Sequence, residues 1–197
     1  MAWPKHRKRE TRQRIVGAAA EAFRRRGIEG VGVDEVMARA GLTHGGFYAH
    51  FRSKDELVAD AMAHAAEELG GIFTAPAGGG KFEARTPRIM DVAKFYLSTE
   101  HWAHPEHGCP VAAIGPELAR GASGVRKKVA ADLRGRIRKL FARTLPSLAP
   151  RTRKAQASGA LACMVGGMIV ARTMQGKEGA DFLADCQRFL QAALDAK

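Results

Sequence analysis

Residues 33–54 read VDEVMARAGLTHGGFYAHFRSK. Val33, Val36, Met37 and Ala40 recur at helical spacing, which predicts a short helix with one buried side. Gly41 can take the left-handed conformation that ends a helix without a Cβ penalty. Thr43 can cap a second helix, expected over 43–51. On it, Phe47, Tyr48 and Phe51 divide between a buried and an exposed side. Phe47 and Phe51 are expected to pack in the core and hold this helix on the first helix of the chain. A helix, a short glycine-containing turn and a second helix are the plan of a helix-turn-helix, whose second helix enters the DNA major groove.

The flanks extend this plan. Upstream, a helix is expected over about 10–26, with Ile15, Ala19, Ala22 and Phe23 on one face. Arg24, Arg25 and Arg26 suit its negative C-terminal end, and Gly27 stops it. Residues 1–9 read as a flexible basic arm. Downstream, Ser53-x-x-Glu56 is a capping box that opens a helix reaching about residue 70. Leu57, Val58, Ala61, Met62, Ala65 and Leu69 form its inward face. Lys54 lies in the first turn of that helix, where a cation opposes the dipole, so a phosphate partner is expected for it.

Ala40-Gly41-Leu42-Thr43, then Gly46-Phe47-Tyr48, His50-Phe51 and Ser53-Lys54-Asp55-Glu56-Leu57, resemble the signature of TetR-family transcriptional regulators. The resemblance is specific over about residues 11–57; beyond them it is one of length and helical pattern. It implies an all-α homodimer, each subunit with a three-helix DNA-binding head and a larger helical body that binds a ligand and dimerises. It also implies a repressor released from DNA by a small molecule. The expected boundaries are 1–54 for the head and 55–197 for the body. In similar proteins the basic arm contacts phosphates or the minor groove, which makes Arg9 a candidate. Such proteins usually carry Thr or Ser before the second helix. Here Val31 and Gly32 stand there, so no side-chain phosphate contact carries over.

Base-reading chemistry is sparse. Arg or Lys read guanine and Asn or Gln read adenine, yet none lies between Leu42 and Phe51, and the chain has no Asn. Thr43, His44, Gly45, Gly46, Tyr48 and His50 remain. Thr43 can meet a thymine methyl or a phosphate, His44 can bond guanine, and Tyr48 and His50 suit phosphates. Two adjacent glycines cost about 1 kcal/mol each in a helix relative to Ala; close approach of backbone to the groove is the simplest gain. Specificity is expected to lean partly on DNA shape.

The 197 residues carry a net charge of +12 and a pI near 10.2, which favours a nucleic-acid partner. Residues 1–54 hold 12 Lys/Arg against 5 Asp/Glu, so the head is the more basic part per residue. Three cysteines, Cys109, Cys163 and Cys186, argue against a disulfide framework. The basic N-terminus has no apolar core after it, and the apolar run over 159–171 is shorter than the about 20 residues a membrane span needs. A cytoplasmic protein with no membrane partner is expected.

In the body, residues 74–86 (TAPAGGGKFEART) predict a loop. Helices are expected over about 87–102, 110–120, 125–145, 152–174 and 180–196. Apolar surface and small residues at Gly159, Gly166 and Gly167, with Phe182 and Phe189 on the last helix, predict a dimer interface. In similar proteins these two helices pair with their mates as a four-helix bundle. A two-fold dimer presents two reader helices to a pseudo-palindrome.

His101, His104, His107 and Cys109 crowd one stretch, but their spacing matches no metal motif, and neither metal nor cofactor is expected. Gly-Cys-x-x-Ala-x-x-x-x-Glu, from Gly108 to Glu117, resembles a subgroup of the family in which some members sense electrophiles through the cysteine. Cys109 is therefore either such a sensor or a small buried residue at a helix start. Phe95, Trp102, Met164 and Met168, with Cys109, are the candidate walls of an effector pocket. No phosphate loop and no Ser–His–Asp pattern is present, so an enzyme is not expected. A sequence-tolerant nucleic-acid binder is the alternative of a different class.

Overall fold

A computed structural model describes residues 5–72, 88–145 and 149–195. These form nine α-helices and two 3-10 segments, with no strand among the described residues. The expected loop over 74–86, the helix start at residue 87 and residues 1–4 of the arm lie outside them.

Helix α1 spans Lys5–Arg26, α2 Val33–Arg39 and α3 Lys54–Ile72. Ile15, Ala19 and Phe23 of α1, Val36 and Met37 of α2, and Leu57, Ala61 and Ala65 of α3 close one apolar core. The remaining helices are α4 (Ile89–Tyr96), α5 (Thr99–Ala103), α6 (Pro110–Arg120), α7 (Ser123–Thr144), α8 (Pro150–Ala171) and α9 (Gly176–Asp195). They surround a second core built on Val92, Tyr96, Phe141, Met164, Met168 and Leu183.

Several expectations need correction. The arm is not free from residue 5 onward: α1 starts there, because Lys and Arg are good helix formers and the exposed run stays solvated. Arg9 is therefore a helical residue. The helix expected over 87–102 breaks at Leu97–Ser98, where Ser98 Oγ accepts the His101 N–H at 3.2 Å and caps α5. The apolar core of the head also takes in α3 up to Ala65 and Ile114 and Leu118 of α6. By length and composition α8 is apolar enough to cross a membrane, with only 33% of that window buried. Arg151, Arg153, Lys154 and Gln156 fill its upstream part, so the apolar run itself stays near the expected 159–171.

Candidate nucleic-acid interface

The turn between the first two elements of the motif forms as its residues dictate. Gly41 takes φ +68, and Leu42 N–H returns to the Met37 carbonyl at 2.9 Å. Gly32 caps α2 in extended conformation with no side-chain hydrogen bond, while Asp34 and Glu35 in the first turn face the dipole. The expected reader helix is instead a 3-10 segment, His44–Ala49, with Thr43 as its N-cap. Gly45 and Gly46 explain the tighter winding: both are poor α-formers, so one short turn anchored by Phe47 is what remains.

That anchor is firm. Phe47 and Phe51 are each 1% exposed and stack with ring centroids 5.5 Å apart. Burying each phenyl ring contributes about 1.5–3 kcal/mol. With this side held down, the other side faces solvent. Thr43, His44 and Gly45 are exposed, and Tyr48 is 69% exposed. The Thr43 hydroxyl makes no capping bond. His44 pairs through Nδ1 with Asp34 and meets the Tyr48 ring edge-on at 6.1 Å. Gly46 is half-buried over Met37.

His50, expected to suit a phosphate, is half-buried. Its Nδ1 is buried without a partner, and its carbonyl accepts from Arg12. Burial, then the charges of Lys8 and Arg12, hold its pKa below the usual histidine value. His50 lines an open cleft with Ala49, Lys8, Arg9 and Arg12. Helical extension of α1 thus brings Arg9 beside the reader segment.

Arg12 had no sequence signal. It bonds Glu56 at 3.0 Å and Asp60 at 2.6 Å, and lies 4.0 Å over the Phe51 ring. It ties α1 to the start of α3 and to the end of the reader. The capping box forms with one change: Ser53 Oγ accepts Glu56 N–H at 3.2 Å, while Glu56 accepts the N–H of Arg52 rather than of Ser53. That bond, then Arg12, lowers the Glu56 pKa. Lys54 also departs from expectation. Its ammonium donates to the Ile28 carbonyl at 2.6 Å and lies 6.0 Å from the Phe23 ring centroid.

The body candidates Phe95, Trp102, Cys109, Met164 and Met168 all belong to or pack against the second core. Met164 and Met168 are buried in the core, and Trp102 packs so closely that a Cβ on Gly179 would lie 2.8 Å from its ring. A small cavity of about 110 Å³ lies instead between α3, α6 and α7, lined by Met62, Ala66, Val111, Leu118 and Leu133 among others. Cys109 is 7% exposed and caps α6. His101 has both ring nitrogens engaged: Nδ1 with the Tyr96 carbonyl at 2.6 Å and Nε2 with the Cys109 N–H at 3.1 Å. These partners require the neutral ring with its proton on Nδ1, and burial lowers the pKa accordingly.

Residues 15–61 match the model of bacterial regulatory proteins of the tetR family. Those residues carry a TetR-family helix-turn-helix, the DNA-binding element of transcriptional regulators. Over 70 residues the chain is 37% identical to the uncharacterized HTH-type transcriptional regulator TtgW of Pseudomonas putida, a stretch that covers 36% of this chain and 52% of that one. Over 69 residues it is 38% identical to the HTH-type transcriptional regulator SrpR of the same species, covering 35% and 32%. The chain thus spans about half or less of the curated relatives it matches. A crystal structure of a TetR transcriptional regulator from Chloroflexus aurantiacus is similar over 98% of both chains, with 26% identity and a TM-score of 0.71. The fold class and the helix-turn-helix read from residues 33–54 are therefore those of the TetR family, a class of DNA-binding regulators.

Proposed function

We propose that this TetR-family protein acts as a homodimeric repressor that binds a pseudo-palindromic operator and leaves it when a small molecule enters the body. The observation that carries the reading is the solvent-facing row Thr43, His44, Gly45 and Tyr48, held out by buried Phe47 and Phe51. Lys8 and Arg9 flank it, and the surrounding positive charge suits a phosphate backbone. Thr43, His44, Gly45 and Gly46 are assigned to base or groove contact, and Tyr48 and Arg9 to phosphate.

Dimerisation rests on the surface that α8 and α9 leave uncovered. Gly159, Gly166, Ile169 and Val170 share one open face of α8, and Phe189 of α9 is 64% exposed. A Cβ on Gly159 or Gly166 would meet nothing within 4 Å, so these glycines leave room for a second copy rather than for this chain. Phe182 packs inward instead. A second copy also accounts for the apolar length of α8 without a bilayer. Gly166→Trp tests this: the expected product is a folded monomer with weakened DNA binding. An intact dimer on sizing would remove these helices from the interface.

The effector site is assigned to the cavity between α3, α6 and α7, which joins the body to the helix that carries the head. A cavity of that size admits a few heavy atoms unless it widens on binding. A Cys109 electrophile sensor is the second reading, favoured by its place at the start of α6 and opposed by its burial. Brief alkylation followed by mass spectrometry separates the two. Labelling of Cys109 ahead of Cys163, whose thiol burial pushes up to about 11, supports the sensor; slower labelling assigns Cys109 to the core.

A further inference from the structure

The segment between α1 and α2 is gripped from the body. The N–H groups of Ile28 and Glu29 both donate to Oε2 of Glu117 on α6, at 2.7 and 3.2 Å. Gly27, at φ +81, lies against the same carboxylate: a Cβ there would stand 2.6 Å from Oε1. The other side of the Ile28 peptide is taken by Lys54, so one peptide unit is held between an anion from α6 and a cation from α3. Next to it, the buried guanidinium of Arg24 donates to the Gly108 carbonyl at 3.0 Å and pairs with Glu68 at 2.8 Å. Both ends of the Gly108–Glu117 stretch therefore hold residues 24–29.

Helix α6 is also divided between the two cores. Cys109 and Ala112 belong to the body core, while Ile114 and Leu118 belong to the head core. The division falls at a kink, where Ile114 leaves helical geometry (φ −134, ψ 17) just before Pro116. We infer that Glu117 is a positioning residue for DNA recognition: from the head side of this kink its carboxylate fixes the α1–α2 turn, and with it the angle at which α2 and the reader segment leave α1. Glu117 touches no DNA in this arrangement. Its effect reaches the reader through α2, whose Met37 underlies Gly46. A rearrangement in the body that tilts the first half of α6 is passed to the reader through this clamp.

The inference rests on the DNA-binding reading above for its consequence, but the clamp can be measured alone. Hydrogen exchange on the full-length free protein reports the Ile28 and Glu29 amides. In Glu117→Ala these two should lose protection while amides of the α8–α9 core keep theirs. Glu117→Gln, which keeps one acceptor oxygen, should fall between. DNA fragments selected by the wild-type protein then give the functional readout. Glu117→Ala should lower the ratio of specific to non-specific affinity at least about tenfold, the equivalent of one charge-assisted hydrogen bond lost from the positioning of the reader, with non-specific retention little changed. Glu117→Gln should recover part of that ratio, which general unfolding would not allow. Unchanged protection in both variants, or an unchanged specificity ratio in a variant whose protection is lost, would overturn the inference. Should Glu117→Ala fail to fold, Glu117→Gln decides by the same two measurements. A wild-type protein that selects no DNA would remove the DNA-binding reading, and the clamp would then stand or fall on exchange.

Discussion

The ammonium of Lys54 lies 2.6 Å from the carbonyl oxygen of Ile28, so the first-turn cation of α3 is committed inside the head. A cation against the helix dipole needs a partner, and here that partner is a backbone oxygen. Lys54→Met should therefore lower stability by about 1.5–3 kcal/mol, the range for a hydrogen bond from a charged group. Its DNA affinity should fall without change in the dependence on salt. A slope reduced by about one, the signature of a lost phosphate contact, would return Lys54 to the interface.

Gly45 is exposed, and a Cβ there would meet nothing within 4 Å. Gly45→Ala should then leave the melting temperature unchanged or slightly raised, since Ala is the better helix former. If the glycine serves close approach to the groove, affinity for selected DNA should drop at least about tenfold, a steric loss of roughly 1.4 kcal/mol. A variant that is as stable as the parent and binds as tightly would show that the backbone does not enter the groove at this point.

Gly32 caps α2 without a side-chain acceptor, and the space around it is open. Gly32→Ser should stabilise the head by a few tenths of a kcal/mol. The added hydroxyl also stands where TetR-family relatives usually place one. Thermal melting checks the first effect and a fragment-binding titration the second: tighter binding is expected, and looser binding would mean that DNA backbone comes closer than a serine permits.

Stability should fall as pH drops below about 6.5. His101 and His50 both have folded pKa values below the ordinary histidine value, chiefly through burial. The unfolded chain then takes up protons first, so stability is fully present above the unfolded value and is lost as pH falls toward the folded ones. Each group adds a slope of at most about 1.4 kcal/mol per pH unit. His101→Gln should flatten the loss measured by denaturant titration at pH 7.5 and 5.5. The same slope in the variant would place the titration elsewhere.

Local signals in the sequence were sufficient for much of the head. Gly41, Ser53 with Glu56, and the Phe47 and Phe51 pair act within a few residues of themselves, and periodicity marks their neighbours. What was not legible depends on partners far along the chain. Arg24 looked like ordinary end-of-helix charge, yet it is buried against Gly108, 84 residues away. Glu117 ends the Gly108–Glu117 pattern, but nothing in that pattern points to Ile28, 89 residues back, beside which α6 sets it. The pocket candidates were ambiguous for a related reason: Met164, Met168 and Trp102 have the composition of a ligand wall and of a core alike, and they pack in the second core. The winding of the reader segment was also hidden, because two glycines weaken an α-helix without specifying what replaces it.

The most direct test of the account is selection of bound fragments from random and genomic DNA by the full-length protein, followed by sequencing. The account predicts a shared palindrome with half-sites about one helical turn apart, occupied by two chains. Retention without a common motif, with steep loss in salt, would contradict it and assign the basic surface to sequence-tolerant binding.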